Sequence, residues 1–169
     1  MGSAINVPDL AQKFYETYSL IDELDNVITA DRWTVTATNG GGLTRVDGQG
    51  AGITLDTADS TAADNDETYF LTTQESFKFI DGQPLYGSAK IQFAEADTDA
   101  ANIAVGFANA VAANTIQDDG AGPPADYSGA VIYKVDGGTK WIFETSVGTT
   151  QTTTTSTTTA GGATAQKLE

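Results

Sequence analysis

The segment that most constrains how this chain can fold runs from Val131 to Phe143. Val131, Tyr133 and Val135 alternate with Ile132 and Lys134, Asp136-Gly137-Gly138 follows, and Trp141 and Phe143 alternate back. A period of two puts successive side chains on opposite faces of a strand, and an Asp-Gly pair supplies the positive φ that a tight reversal needs. The segment predicts a β-hairpin.

The same signal recurs in shorter pieces. Trp33, Val35 and Ala37 alternate with Arg32, Thr34 and Thr36 until Asn39-Gly40-Gly41-Gly42 breaks the run. Short β segments follow at Leu43–Val46 and Gly52–Asp56, then a small acidic loop over Thr57–Glu67, then Thr68–Thr72. Phe77 and Phe79 alternate with Ser76 and Lys78 ahead of an Asp81-Gly82 turn. Ala89, Ile91 and Phe93 form one face of a strand expected over Tyr86–Ala94. Ile103, Val105 and Phe107 form the face of another, with Gly106 between them where a side chain would not fit. Ala112–Tyr127, with Gly120, Gly122, Pro123 and Pro124, reads as a long loop. Short strands separated by turns at intervals of about 8–12 residues predict an all-β sandwich or jelly roll. Val105, Phe107, Val131, Tyr133, Trp141 and Phe143 are expected to face its interior.

The two ends read differently. Pro8 suits the first position of a helix, Asn6 or Val7 its cap, and Asp9 the positive end of its dipole. Leu10, Phe14, Tyr18 and Ile21 then draw one apolar stripe. The short N-terminal helix either packs on its own domain or is an arm docked on a neighbouring subunit, which makes these four residues the candidates for subunit contact. Gly148–Ala165 is almost entirely Thr, Ala, Gly and Ser; Thr favours strands, but the run has no apolar face to bury. It reads as a polar edge strand or as a linker ordered on contact, and Thr149–Thr159 is a second candidate contact segment. Either Leu168-Glu169 is a vector-derived tail, as Met1-Gly2-Ser3 would be, or a further strand begins at Lys167-Leu168-Glu169. The organisation expected is a helical arm over 1–31, a β-sandwich over 32–148 and a Thr-rich segment over 149–169.

Composition narrows the function. The 169 residues include 23 acidic against 8 basic side chains, a net charge of −15. That field repels phosphate backbones and anionic lipid, so neither nucleic acid nor a membrane surface is an expected partner. Cysteine and histidine are both absent, which removes thiolate chemistry, disulfides, the commonest general base and the commonest transition-metal ligand.

From Trp33 to Gly148 the chain resembles the concanavalin A-like lectin/glucanase jelly roll, the fold shared with laminin G-type domains. The resemblance is carried by Gly52-Ile53-Thr54-Leu55, Phe77-Lys78-Phe79, Ala89-Lys90-Ile91-Gln92-Phe93, Ala104-Val105-Gly106-Phe107 and the hairpin Gly129–Trp141. Within that superfamily it is most similar to the decoration or cement proteins of tailed-bacteriophage capsids. The resemblance implies a non-enzymatic virion protein on the capsid surface, with no cofactor, whose partners are the major capsid protein and neighbouring copies of itself, as a homo-oligomer on the shell. A carbohydrate-binding lectin-like module is the alternative, and a glycoside hydrolase the third reading.

Three constellations bear on these alternatives. Glu95, Asp97 and Asp99 would share one face of a strand, and the superfamily's glucanases use a comparable acidic strand with one Glu as nucleophile and another as acid/base. Here the last residue is Asp and the run leads straight into Ala100-Ala101-Asn102, so a solvated hairpin tip is expected instead. Asp56, Asp59, Asp64 and Asp66, with Asn65 and Glu67, offer oxygen ligands for calcium, although their spacing matches no calcium loop. Trp33, Tyr86, Tyr127, Tyr133 and Trp141 could stack on sugar rings, but aromatics at alternating strand positions are core residues in most folds.

Overall fold

The computed structural model describes residues 24, 31–47, 52–58, 66–95, 99–118 and 120–169, and within these the protein is all-β. The helix expected to carry Leu10, Phe14, Tyr18 and Ile21 lies outside the described residues.

The ten strands among the described residues fall into four hydrogen-bonded groups. The largest is an antiparallel sheet in the order β6 (Ile103–Ala108), β7 (Gly129–Lys134), β8 (Lys140–Val147) and β9 (Thr150–Thr159). Its centre is the hairpin read from the sequence. Val131 sits opposite Glu144 and Ile132 opposite Phe143, while Gly137, with φ of 70°, turns the chain and the Gly138 N–H donates to Val135 O at 3.0 Å. A second hairpin joins β8 to β9. Its two central residues are Gly148 and Thr149, and Gly148 takes a φ of 57° where a left-handed residue matches the twist of the flanking strands. The Thr-rich segment thus supplies β9, the outer strand of this sheet.

Three smaller pairs complete the described fold. β1 (Trp33–Ala37) runs antiparallel to β4 (Thr68–Thr72), and Trp33 stacks on Phe70 with ring centroids 4.4 Å apart. β2 (Gly40–Val46) and β3 (Gly52–Ala58) form a hairpin. β5 (Ala89–Ile91) pairs with β10 (Gln166–Leu168), so the last strand returns to the middle of the chain. The strand expected over Tyr86–Ala94 is therefore only three residues long. Phe77 and Phe79 lie on no strand; their irregular segment crosses the face of β6, where their rings meet Phe107 at 5.2 and 6.4 Å.

The large sheet has apolar clusters on both of its faces. Directly opposed residues share a face, so Val105 and Ile132 point one way while Val131, opposite Gly106, points the other. Tyr127, Val131 and Tyr133 form one cluster, with Ala108, Ile116, Val135 and Ile142 packed against it. Trp141, Ala160 and Leu168 form the second, joined by Phe93, Ile103, Val105 and Ile132. The single interior expected from the sequence is thus divided: Val131 and Tyr133 belong to one side, and Val105, Phe107 and Trp141 to the other. Phe143 is a correction of a different kind. It shares the face of Ile132 but lies beyond the cover supplied by β10, and it is 46% exposed.

Backbone and side-chain contacts hold these layers. Gly106 has the close approach expected of it, since a Cβ there would lie 2.3 Å from Ala130 O. Trp141 is 4% exposed, and its Nε1–H donates to Gln166 Oε1 at 2.8 Å, which fastens β10 against the sheet. Trp141→Ala should cost about 3–5 kcal/mol, the range for a large buried aromatic, whereas Phe143→Ala should cost about 1 kcal/mol or less. Urea unfolding of the two variants checks this; equal losses would mean that the two faces are wrongly assigned.

Candidate functional site

Two carboxylates, one half-buried and one buried, are the places where chemistry could be lodged. The first is Glu95. Lys134, at the end of β7, is wholly buried, and its ammonium lies 3.1 Å from Glu95 Oε1. It also donates to Asp99 O at 2.9 Å and Ala101 O at 3.0 Å, with a longer bond to Val135 O at 3.4 Å. Asp99 turns the chain with φ of 60°, and its carbonyl also accepts from the Gly137 N–H. Its carbonyl and Glu95's carboxylate are therefore drawn to one cation. This corrects the solvated tip expected for Glu95, whose side chain is 13% exposed and paired. Asp97 lies outside the described residues.

The second is Glu144, on β8 and 4% exposed. Its Oε1 accepts from the Tyr127 hydroxyl at 2.9 Å and from Gln151 Nε2 at 3.1 Å, and its Oε2 accepts from the Tyr133 hydroxyl at 3.2 Å. Gln151 Nε2 also donates to Pro124 O at 2.9 Å, linking β9 to the long loop before β7. A buried carboxylate costs several kcal/mol in desolvation unless donors replace its water. Here three donors converge, and every buried side-chain polar atom described has a partner. Burial pushes the Tyr133 hydroxyl up to about 12, helped by the charge and hydrogen bond of Glu144. The same causes raise Tyr127 further. Both phenols are therefore held as neutral donors. Nothing in the alternation of β8 announced Glu144; the only signal was a charged residue at a position whose neighbours in the same phase, Ile142 and Ser146, face inward.

Beside this cluster lies a cavity of about 40 Å³ lined by Ala104, Ala108, Ile116, Pro124, Tyr127 and Val131. It has room for only a few waters, and its lining is apolar. Neither Glu144 nor Glu95 is among the residues that line it.

The calcium candidates do not converge among the described residues. Asp59 and Asp64 lie outside them. Asp56, on β3, accepts through its backbone carbonyl from the Thr68 hydroxyl at 2.6 Å, and Asp66 accepts from the Asn39 side-chain amide. Glu67 accepts from the Tyr69 hydroxyl and, at 2.8 Å, from the Asn114 N–H. Burial and Glu67 together raise Tyr69 well above the ordinary phenol range. Among the described residues no three acidic side chains gather as metal ligands.

The five aromatics considered as sugar platforms are also dispersed. Tyr127, Tyr133 and Trp141 are 4–6% exposed and belong to the two clusters. Trp33 is half-buried against Phe70. Tyr86 alone of the five is broadly exposed, and its hydroxyl donates to Glu169. No family model, no curated protein and no solved structure matches the chain.

Two measurements test the roles of these carboxylates. Glu95→Gln leaves the Lys134 ammonium buried without its counter-charge and should cost about 3–5 kcal/mol in urea unfolding; a loss under about 1 kcal/mol would show that the carbonyl cage suffices. The tyrosines set an alkaline dependence. Because folding raises Tyr133 from 10.0 to about 12, its stabilising contribution is complete below pH 10 and is lost as pH climbs to about 12. Unfolding free energy should therefore fall over that window, and less steeply in Tyr127→Phe/Tyr133→Phe. Parallel curves for the two proteins would remove the phenols as the cause.

Proposed function

We propose that this protein works by adhesion, as a decoration or cement protein on the shell of a tailed bacteriophage, and that its β-strands form a concanavalin A-like jelly roll. The observation that carries the adhesive part is the commitment of both carboxylates, Glu95 and Glu144. Glu95 neutralises a buried lysine and Glu144 is saturated by two phenols and an amide. Retaining glycoside hydrolysis needs two carboxyls about 5–5.5 Å apart with access to substrate. Glu95 and Glu144 are held by separate sets of partners, and neither is among the residues lining the apolar cavity beside Tyr127. The assignment to a capsid rests on the resemblance of Trp33–Gly148 to the decoration proteins. The net charge of −15 fits a subunit that coats a particle and keeps it dispersed.

On this reading the protein bridges capsid subunits through buried surface, with the major capsid protein and its own copies as partners. The N-terminal stripe of Leu10, Phe14, Tyr18 and Ile21 supplies one contact and the Thr-rich strand another. Each of those apolar side chains contributes roughly 1.5–3 kcal/mol when buried. The lectin-like alternative draws on exposed Tyr86 and has no further observation in its favour.

Binding to capsids stripped of their decoration tests the reading. The full chain should attach, and a variant lacking residues 1–24 should keep its β circular dichroism yet fail to attach. A chain that ignores capsids but labels a glycan array belongs instead to the lectin reading. No reducing ends should appear from β-glucans or galactans; release abolished by Glu95→Gln in a variant that keeps its circular dichroism would establish a hydrolase.

A further inference from the structure

We propose that β9 is a self-pairing edge: the outer side of its regular stretch, Thr150–Thr155, joins the same stretch of a second copy, antiparallel, to form a continuous eight-stranded sheet. The inference deepens the adhesive reading and rests on it for its setting, but it names the partner of this one strand and needs no capsid.

Four observations converge on β9. Among the described residues it pairs only with β8, in regular register from Thr150 to Thr155, and the outer edge of that stretch offers unpaired N–H and C=O groups. At about 3.4 Å per residue the stretch is roughly 20 Å long. Beyond it the register shifts, and the Thr157 and Thr159 carbonyls accept from Lys140 Nζ and Gln166 Nε2, each at 2.9 Å, so pairing is confined to the regular stretch, which has no Lys, no Pro and no charge of its own. Eight of its ten residues are Thr, and all but Ser156 are exposed. A Thr ladder is complementary to another Thr ladder, since opposed Thr pairs stabilise antiparallel strands.

Charge selects a second copy as the occupant. Two molecules at −15 repel each other over most approaches. From Trp141 to Gln166 the one ionisable side chain is Glu144, and it is buried. The ammonium of Lys140 reaches β9 only at its far end, on Thr157 O and Thr159 Oγ1, so Thr150–Thr155 and the part of β8 beside it form a surface on which two such copies meet without opposing charges. Apolar area flanks it as well. Phe143 lies opposite Thr154 and Val147 opposite Thr150, with exposures of 46% and 79%. A two-fold axis perpendicular to the sheet keeps like faces together, so each copy's Phe143 and Val147 lie beside the seam. A single-strand seam is small beside a standard interface of about 1,600 Å², so the dimer should be of micromolar order.

The test uses the full chain without capsids. Sedimentation should show dimer at high micromolar concentration. Thr152→Glu/Thr154→Glu and Thr152→Lys/Thr154→Lys should each be monomeric there with unchanged circular dichroism, because like charges face each other across the seam. An equimolar mixture of the two should dimerise again. Because the chain has no cysteine, single substitutions give an independent readout that does not rely on charged variants. Under mild oxidation at least one of Thr152→Cys, Thr153→Cys and Thr154→Cys should crosslink faster than the exposed control Glu75→Cys, as opposed strand residues lie within disulfide reach. A monomeric wild type, a dimer that survives both charged variants, or cysteines on β9 no faster than the control would overturn the proposal. A monomeric chain that still coats stripped capsids would sink the pairing alone; a β9 dimer that ignores capsids would leave the pairing standing and sink the decoration reading.

Discussion

The pairing of β7 between β6 and β8 forces alternate residues of one six-residue strand into two different cores. Val131 and Tyr133 enter the cluster under the long loop, while Ile132 enters the cluster under β10. A strand covered on both faces has no position left for a solvated side chain. That is why its one charge, Lys134, is enclosed by Glu95 and the Asp99 and Ala101 carbonyls rather than left in water. Glu144 on the neighbouring strand meets the same demand with Tyr127, Tyr133 and Gln151. Each polar cluster also ties an irregular segment to the sheet: one draws in the turn at Asp99, the other the loop at Pro124.

How much of this is legible in the residues follows from what periodicity encodes. The hairpin at Asp136–Gly138 is legible because apolar alternation and turn chemistry are both local. The close approach at Gly106 is legible because a bare position inside an apolar alternation marks a place where neighbouring backbone leaves no room for a Cβ. The division of the core is not, since period two fixes which residues share a face but not whether the opposite face is also covered. Val131, Ile132 and Tyr133 are all apolar in succession, the mark of a strand buried on both sides, and that continuity is the available hint. β5 is only three residues long because its one pairing partner among the described residues is a three-residue strand arriving from the far end of the chain, a non-local fact. The carboxylates are hidden for the same reason. Glu95 reads as a solvated tip because its partner, Lys134, stands on a strand far along the chain.

Glu95 and Glu144 are thus both engaged by partners within the fold. On the reading proposed above, recognition would rest on shape, charge and open backbone. That reading also accounts for how little functional signature the residue pattern carries: strands and glycines specify the scaffold, whereas an adhesive face needs neither a reactive triad nor a fixed ligand set.

On the self-pairing proposal the uncharged stretch Thr150–Thr155 makes the molecule a patchy colloid, with a repulsive body and one neutral stripe. Added salt shortens the reach of the body's repulsion to about 8 Å at physiological strength but has nothing to screen on the stripe itself. Ionic strength then sets how closely copies crowd, while the stripe sets the orientation in which they do so.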